Sequence, residues 1–271
     1  MIVGAAFAVI AARLDGGVIA GKSLPETVAA AVVNAFGAPA IWDRNPFWLN
    51  GPIWSLFYEI AVNVLYGMIA FALTTRRLAI LIIASILAMF VISWHTNGLV
   101  FGGHRSTMPM GVVRVVASFF LGVALHRLHI AGLLANGGRR WWIAPILVAT
   151  FIILPKGSSW SFLYDPIVVF VLYPVLVLAA AGSTAIMPKI AVWSGTVSFP
   201  LYVTHEPILK LSESALLPAG DEGPMVIKLV SVCSAVLIAW LALRFYDVPV
   251  RTMLRARLGS KRHSGTPAQA V

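Results

Sequence analysis

Charge is what this sequence has least of. Only 11% of its 271 residues are Asp, Glu, Lys or Arg, against about a quarter in an ordinary soluble domain. With 59% hydrophobic residues and a mean hydropathy of +0.89, the chain cannot clothe a water-facing surface, and a soluble globular protein is excluded. Acidic residues are scarcest: 10 Asp and Glu stand against 20 Lys and Arg, a formal net charge of +10. In a soluble protein that excess would raise the question of nucleic acid. In so apolar a chain it fits basic residues gathered in cytoplasmic loops, so the expected partner is the lipid bilayer and no nucleic acid. The single cysteine, Cys233, can form no intrachain disulfide. Signature motifs are missing as well: no Gly-x-Ser-x-Gly elbow, P-loop, Gly-x-Gly-x-x-Gly or His-Glu-x-x-His occurs. His126 and His129 have a metal-like spacing but no Cys or acid near them, so no metal site is expected.

What is present is a series of long apolar runs. A bilayer core takes about 20 helical residues, and roughly eight runs approach that length: 1–13, 54–73, 78–94, 110–128, 141–154, 166–182, 193–212 and 224–246. The expected fold is an all-α polytopic membrane helix bundle with about eight transmembrane helices. Between the first two runs, Ser23-Leu-Pro-Glu26 fits a capping box, and Thr27 to Phe36 ends at Gly37. That segment reads as one amphipathic surface helix.

Numbering the loops alternately puts Arg76, Arg77, Arg127, Arg139, Arg140, Lys189, Arg251, Arg255, Arg257, Lys261 and Arg262 on one side. That side is the cytoplasmic one, with both termini. The other receives Lys22, Arg44, Arg105, Lys156 and Lys210, diluted by Asp15, Glu26, Asp43, Asp165, Glu213, Asp221 and Glu222. The tail 258–271 reads as a disordered basic cytoplasmic segment. Met1 opens straight onto an apolar run with no basic flank, unlike a signal peptide or first anchor.

A charge at the centre of a membrane helix is unfavourable by about 2.5–3.5 kcal/mol, so each one needs a reason. Ser55, Glu59, Asn63 and Tyr66 recur on one helical face, a polar stripe that implies a protein-lined or watery interior. Arg114, Ser118 and Gly122 follow one another at spacings of four, and small residues so spaced let another helix approach. Arginine is always charged, and Glu59 is the most available carboxylate, so a Glu59–Arg114 pair is expected. His205 and Glu206 lie in an otherwise apolar stretch before Pro207, and an imidazole there suits acid, base or hydrogen-bonding work. On these residues alone, a transporter or flippase for a sugar or lipid is an equal alternative to an enzyme, and an inactive scaffold is a third.

Several patterns resemble one family. Asn50-Gly-Pro-Ile-Trp54-Ser55-Leu-Phe-Tyr-Glu59 resembles the N-G-x-x-W-S-L-x-x-E signature of the acyltransferase family 3 membrane enzymes. Arg114 with Phe119-Phe120-Leu121-Gly122 is similar to that family's R-x-x-x-F-x-x-G span. Trp193 to His205 looks like its G-x-x-S-Y-x-x-Y-x-x-H segment, with Phe199 and Pro200 in place of Tyr and Ser. Tyr246-Asp247-Val-Pro249-Val-Arg251 resembles the end of its last helix, with Asp247 where Glu is common.

The resemblance implies transfer of an acyl group, commonly acetyl, from acetyl-CoA or another acyl-CoA to a hydroxyl of a carbohydrate or glycolipid, with no bound cofactor. It assigns catalysis to Glu59, Arg114 and His205 and substrate contacts to Trp54, Ser55, Asn63 and Tyr202. It implies that residues 1–257 form the acyltransferase domain of a bacterial-type inner-membrane protein. It also implies truncation: the family's first two helices, with their Arg and His and the R-x-x-R that opens the third, have no counterpart after Met1. The charge distribution makes a direct prediction. A fluorescent protein fused to the C-terminus should fluoresce and alkaline phosphatase at the same place should stay inactive; the reverse would invert the topology.

Overall fold

The computed structural model describes residues 5–6, 9–10, 22–132, 138, 140–153, 159–184, 187–216 and 224–259. Most of the expected first span and the tail after 259 lie outside them. So do Asp15, Arg139, Lys156, Asp221, Glu222, Lys261 and Arg262, and the side chain of Glu213. The described residues are helical and hold no strand. Five helices are long and apolar enough to cross a membrane: Ile53–Ala72, Thr75–Thr96, Arg105–Ile130, Ser161–Ala181 and Met225–Arg257. The expected count of eight is therefore met by five among the described residues. The run at 141–154 yields only the short helix Ile143–Ile153. The run at 193–212 is continuous helix, but its polar residues and two prolines lower its hydropathy.

The chain divides into two compact units, Pro39–Trp48 with Ile53–Pro188, and Met1–Ala38 with Leu49–Pro52 and Lys189–Val271. The first holds α2 (Ile53–Ile69), α3 (Thr75–Thr96), α4 (Met108–Ile130), α5 (Ile143–Ile153), α6 (Ser161–Ile167) and α7 (Tyr173–Ala181), with α4 packed against both α3 and α2, and α6 against α3. Apolar burial cannot drive association within lipid, so packing and hydrogen bonds must. Val62, Leu73, Leu78 and Phe120 form one buried cluster, joined by Tyr66, which meets Phe119 and Phe120 edge-on. Met89, Leu99, Phe101, Ala117 and Phe170 form a second.

The basic side chains at one end of this unit finish helices. Arg77 Nη1 donates to Ala72 O at 2.8 Å and Arg127 Nη2 to Leu73 O at 2.9 Å, closing carbonyls at the end of α2. Arg140 Nη1 does the same for Ala179 O near the end of α7.

Pro166 sits inside α6 and cannot donate to Phe162 O, four residues earlier. Ser93 of α3 supplies the missing donor, its Oγ lying 2.8 Å from that carbonyl. The backbone then widens into a π turn over Val168–Leu172 before α7. Asp165, expected in a loop, lies in α6 and accepts the Leu99 amide at 2.9 Å. Gly98, at φ 133°, lets that carboxylate approach, since a Cβ there would stand 2.8 Å from Oδ2.

The second unit holds α1 (Leu24–Ala35), α8 (Pro188–Leu216) and α9 (Met225–Ala242), which passes through a π turn at Leu243–Asp247 into α10 (Val248–Gly259). The capping box forms as expected: Glu26 Oε2 accepts from Ser23 N and Oγ, each at 2.9 Å. The helix stops at Gly37, where φ is 75°.

The Ser93 bond is testable through its cause. Ser93→Ala should destabilise the protein in a detergent melt by about 1–2 kcal/mol. Pro166→Ala restores a backbone donor to Phe162 O, so adding it should recover most of that loss; two strictly additive effects would disprove the relation.

Candidate functional site

The sequence-predicted residues fall into two groups, one in each unit. In the first, Trp54 and Tyr58 stand one turn apart on α2. Tyr58 is buried, and its hydroxyl lies 3.2 Å from Gly102 O and 3.0 Å from Met108 O. Gly111 on α4 makes room for the ring, because a Cβ there would stand 2.8 Å from the phenol carbon and oxygen. Trp54 meets Tyr58 edge-on and lies against Gly102 and Gly103. Gly102 has φ 112°, and a Cβ there would strike the indole at 2.8 Å.

Arg114 does not spend its charge on Glu59. Its guanidinium stands over the Trp54 ring at 5.3 Å, and Nη1 donates to Leu99 O at 2.8 Å. Both of these groups are neutral, and they fix the direction of the guanidinium on α4. Glu59 is exposed, and no ion pair joins it to Arg114 among the described residues. The expected pair fails because the 97–107 loop brings Leu99 O to Arg114, whereas Glu59 points off that face of α2.

The polar stripe survives in part. Ser55 is half-buried, Glu59 and Asn63 are exposed, and Asn63 Nδ2 donates to Glu59 O at 2.8 Å. Tyr66 leaves the stripe for the Phe119 and Phe120 rings. Ser118 and Gly122 also differ from expectation: both are exposed, and nothing lies within 4 Å of a Cβ built on Gly122. The close approach on α4 is at Gly111, one turn before Arg114.

The second group is organised around Pro207 of α8. Lacking an N–H, it leaves Val203 O without its helical donor. Asn50 Nδ2 takes that place at 2.8 Å, from a side chain that is 1% exposed. Tyr202 Oη donates to Pro52 O at 2.9 Å, so the segment Asn50–Pro52 is held to α8 by two hydrogen bonds. Gly51 passes against Glu206, whose Oε2 would stand 2.6 Å from a Cβ at that position. Glu206 Oε1 is 2.7 Å from Lys210 Nζ.

His205 Nδ1 lies 3.0 Å from Leu201 O and 2.9 Å from Tyr202 O. Carbonyls only accept, so Nδ1 carries the hydrogen, and in the neutral ring Nε2 is the basic nitrogen. Residues that sequence reasoning gave no role are Ser93, Tyr58, Gly111 and the side chain of Asn50. Pro166 and Pro207 were the signal for two of them, since each names an orphaned carbonyl four residues back.

The described residues thus form a helical protein with five helices long and apolar enough to cross a membrane. Residues 2–244 match the acyltransferase domain of acyltransferase family 3, and the chain belongs to that family. No curated protein and no solved structure matches it. The protein is thus a membrane acyltransferase in general terms.

The two glycines on α4 give a paired prediction. Gly111→Ala should displace the Tyr58 ring and lower stability by about 1–3 kcal/mol, whereas Gly122→Ala should be nearly neutral. Equal detergent-melting temperatures for the two variants would refute this packing.

Proposed function

We propose that the protein transfers an acyl group, acetyl in the simplest case, from acyl-coenzyme A to a hydroxyl of a carbohydrate or glycolipid. Membership of acyltransferase family 3 over residues 2–244 carries the reading. The enzyme would work in a bacterial-type inner membrane with both termini in the cytoplasm. The reaction requires that the acceptor hydroxyl lose its proton to a base while its oxygen bonds to the thioester carbonyl carbon. The C–S bond then breaks, and coenzyme A leaves as a thiol on taking a proton back.

His205 supports the base role because Nδ1 is engaged with carbonyls and Nε2 is the basic atom. Arg114 suits an anionic group because it is always charged and its guanidinium is oriented by Leu99 O and the Trp54 ring. Glu59 is a carboxylate exposed within a membrane-spanning window, a placement that implies a polar neighbour such as a substrate or a base to orient. Trp54 offers an aromatic face, and Ser55, Asn63 and Tyr202 offer hydrogen bonds, to a sugar. The polar stripe would serve a transporter or flippase as well, and family membership draws the balance to acyl transfer.

In membrane vesicles supplied with radiolabelled acetyl-CoA, Glu59→Gln and His205→Ala should each reduce label transfer to membrane glycan by about a hundredfold or more. Both variants should insert and extract like the wild type. Wild-type transfer by both would remove these assignments.

A further inference from the structure

Two more arginines meet outside this arrangement. Arg44, His104, Arg105 and Ser106 line an open recess of about 640 Å³. The pieces come from distant parts of the chain and are joined by the backbone, with Arg105 N donating to Arg44 O at 3.0 Å. The turn beneath is tied: Gly102 N donates to Thr107 Oγ1 at 3.1 Å, and Thr107 N and Oγ1 both reach His104 O, at 2.9 and 3.1 Å. The recess therefore has a fixed floor and charged walls.

Among the described residues, no carboxylate lines it. The nearest in sequence, Asp43, turns back to accept Asn45 N at 3.1 Å. Neither Arg44 nor Arg105 is in an ion pair among the described residues, and both are exposed. The recess opens at the start of α4, where the helix dipole adds positive potential. Two arginines lining one recess raise its positive potential, and a bound anion lowers it. Arginine forks match phosphate oxygens, and a histidine and a serine add donors.

We propose that this recess binds a phosphate group, carried by a lipid headgroup or by a soluble phosphate compound. The site lies in the loop Leu99–Thr107, which also supplies the Arg114 acceptor and the glycines under Trp54. A phosphate there would anchor a phosphorylated molecule beside Trp54. The binding does not depend on acyl transfer, so it stands or falls separately from the enzymatic reading.

The test uses the full chain in neutral detergent micelles doped with phosphatidylglycerol or phosphatidylcholine, with lipid retention read by native mass spectrometry. Inorganic phosphate serves as the soluble probe in equilibrium dialysis and as competitor. The wild type should retain phosphatidylglycerol about tenfold better than phosphatidylcholine or bind inorganic phosphate, and Arg44→Gln with Arg105→Gln should abolish the preference. Arg44→Lys with Arg105→Lys should keep most of it, which separates charge from folding. Binding of lipid that phosphate fails to displace supports a headgroup source; saturable phosphate binding that displaces lipid supports a soluble one. Retention of both probes by the glutamine variant, or a wild type that neither prefers phosphatidylglycerol nor binds inorganic phosphate, overturns the proposal. So does a loss that instead follows Arg255→Gln with Arg257→Gln.

Discussion

Carbonyls left without donors by proline organise this protein. A helix in lipid has no water to satisfy a freed backbone group, so a proline in mid-helix obliges a neighbour to provide a hydrogen. Pro166 creates that demand at Phe162 O and Ser93 answers it from α3. Pro207 creates it at Val203 O and Asn50 answers it from the segment ahead of α2. Each bond is directional and joins stretches far apart in sequence, 69 and 153 residues respectively. Apolar packing between lipid-soluble helices is indifferent to register, whereas a single orphaned carbonyl is not. Asn50 in turn places Gly51 against Glu206, and Ser93 keeps α3 beside α6, the helix that carries Asp165.

Charge inside the apolar windows follows a related rule. Arg114 meets a carbonyl dipole and an aromatic face, which orient the cation. Pairing it with Glu59 would have satisfied both charges and spent both. Instead the two side chains stand apart, Arg114 against Leu99 O and the Trp54 ring and Glu59 exposed on α2. In the Arg44 and Arg105 recess, positive groups converge without a carboxylate among the described residues that line it.

Most of the helices were legible from hydrophobic run length. Ile53–Ala72, Thr75–Thr96 and Arg105–Ile130 correspond to runs read directly from composition, and the α1 capping box was visible as Ser23 and Glu26. The run at 193–212 forms one continuous helix, but its prolines and charges keep it below the hydropathy of the five long apolar helices. Candidate residues were partly legible. Glu59, Arg114 and His205 stand out as polar exceptions in apolar runs, but which atoms they meet depends on loops whose path has no periodicity. Arg114 illustrates this: its partners are a backbone carbonyl and a ring, and neither Leu99 nor the geometry of Gly102 announces itself in a hydropathy pattern.

The residue string by itself determined that this is a helical membrane protein of the acyltransferase 3 family, because run length, charge scarcity and motif order are one-dimensional properties. Only the tertiary structure decided the pairings: Arg114 with Leu99 and Trp54, Tyr58 with Gly111, Asn50 with Val203, and Arg44 beside Arg105. The reason is physical. Burial in lipid constrains each helix independently, while a hydrogen bond to an orphaned carbonyl or a glycine-sized gap exists only once two distant segments have met.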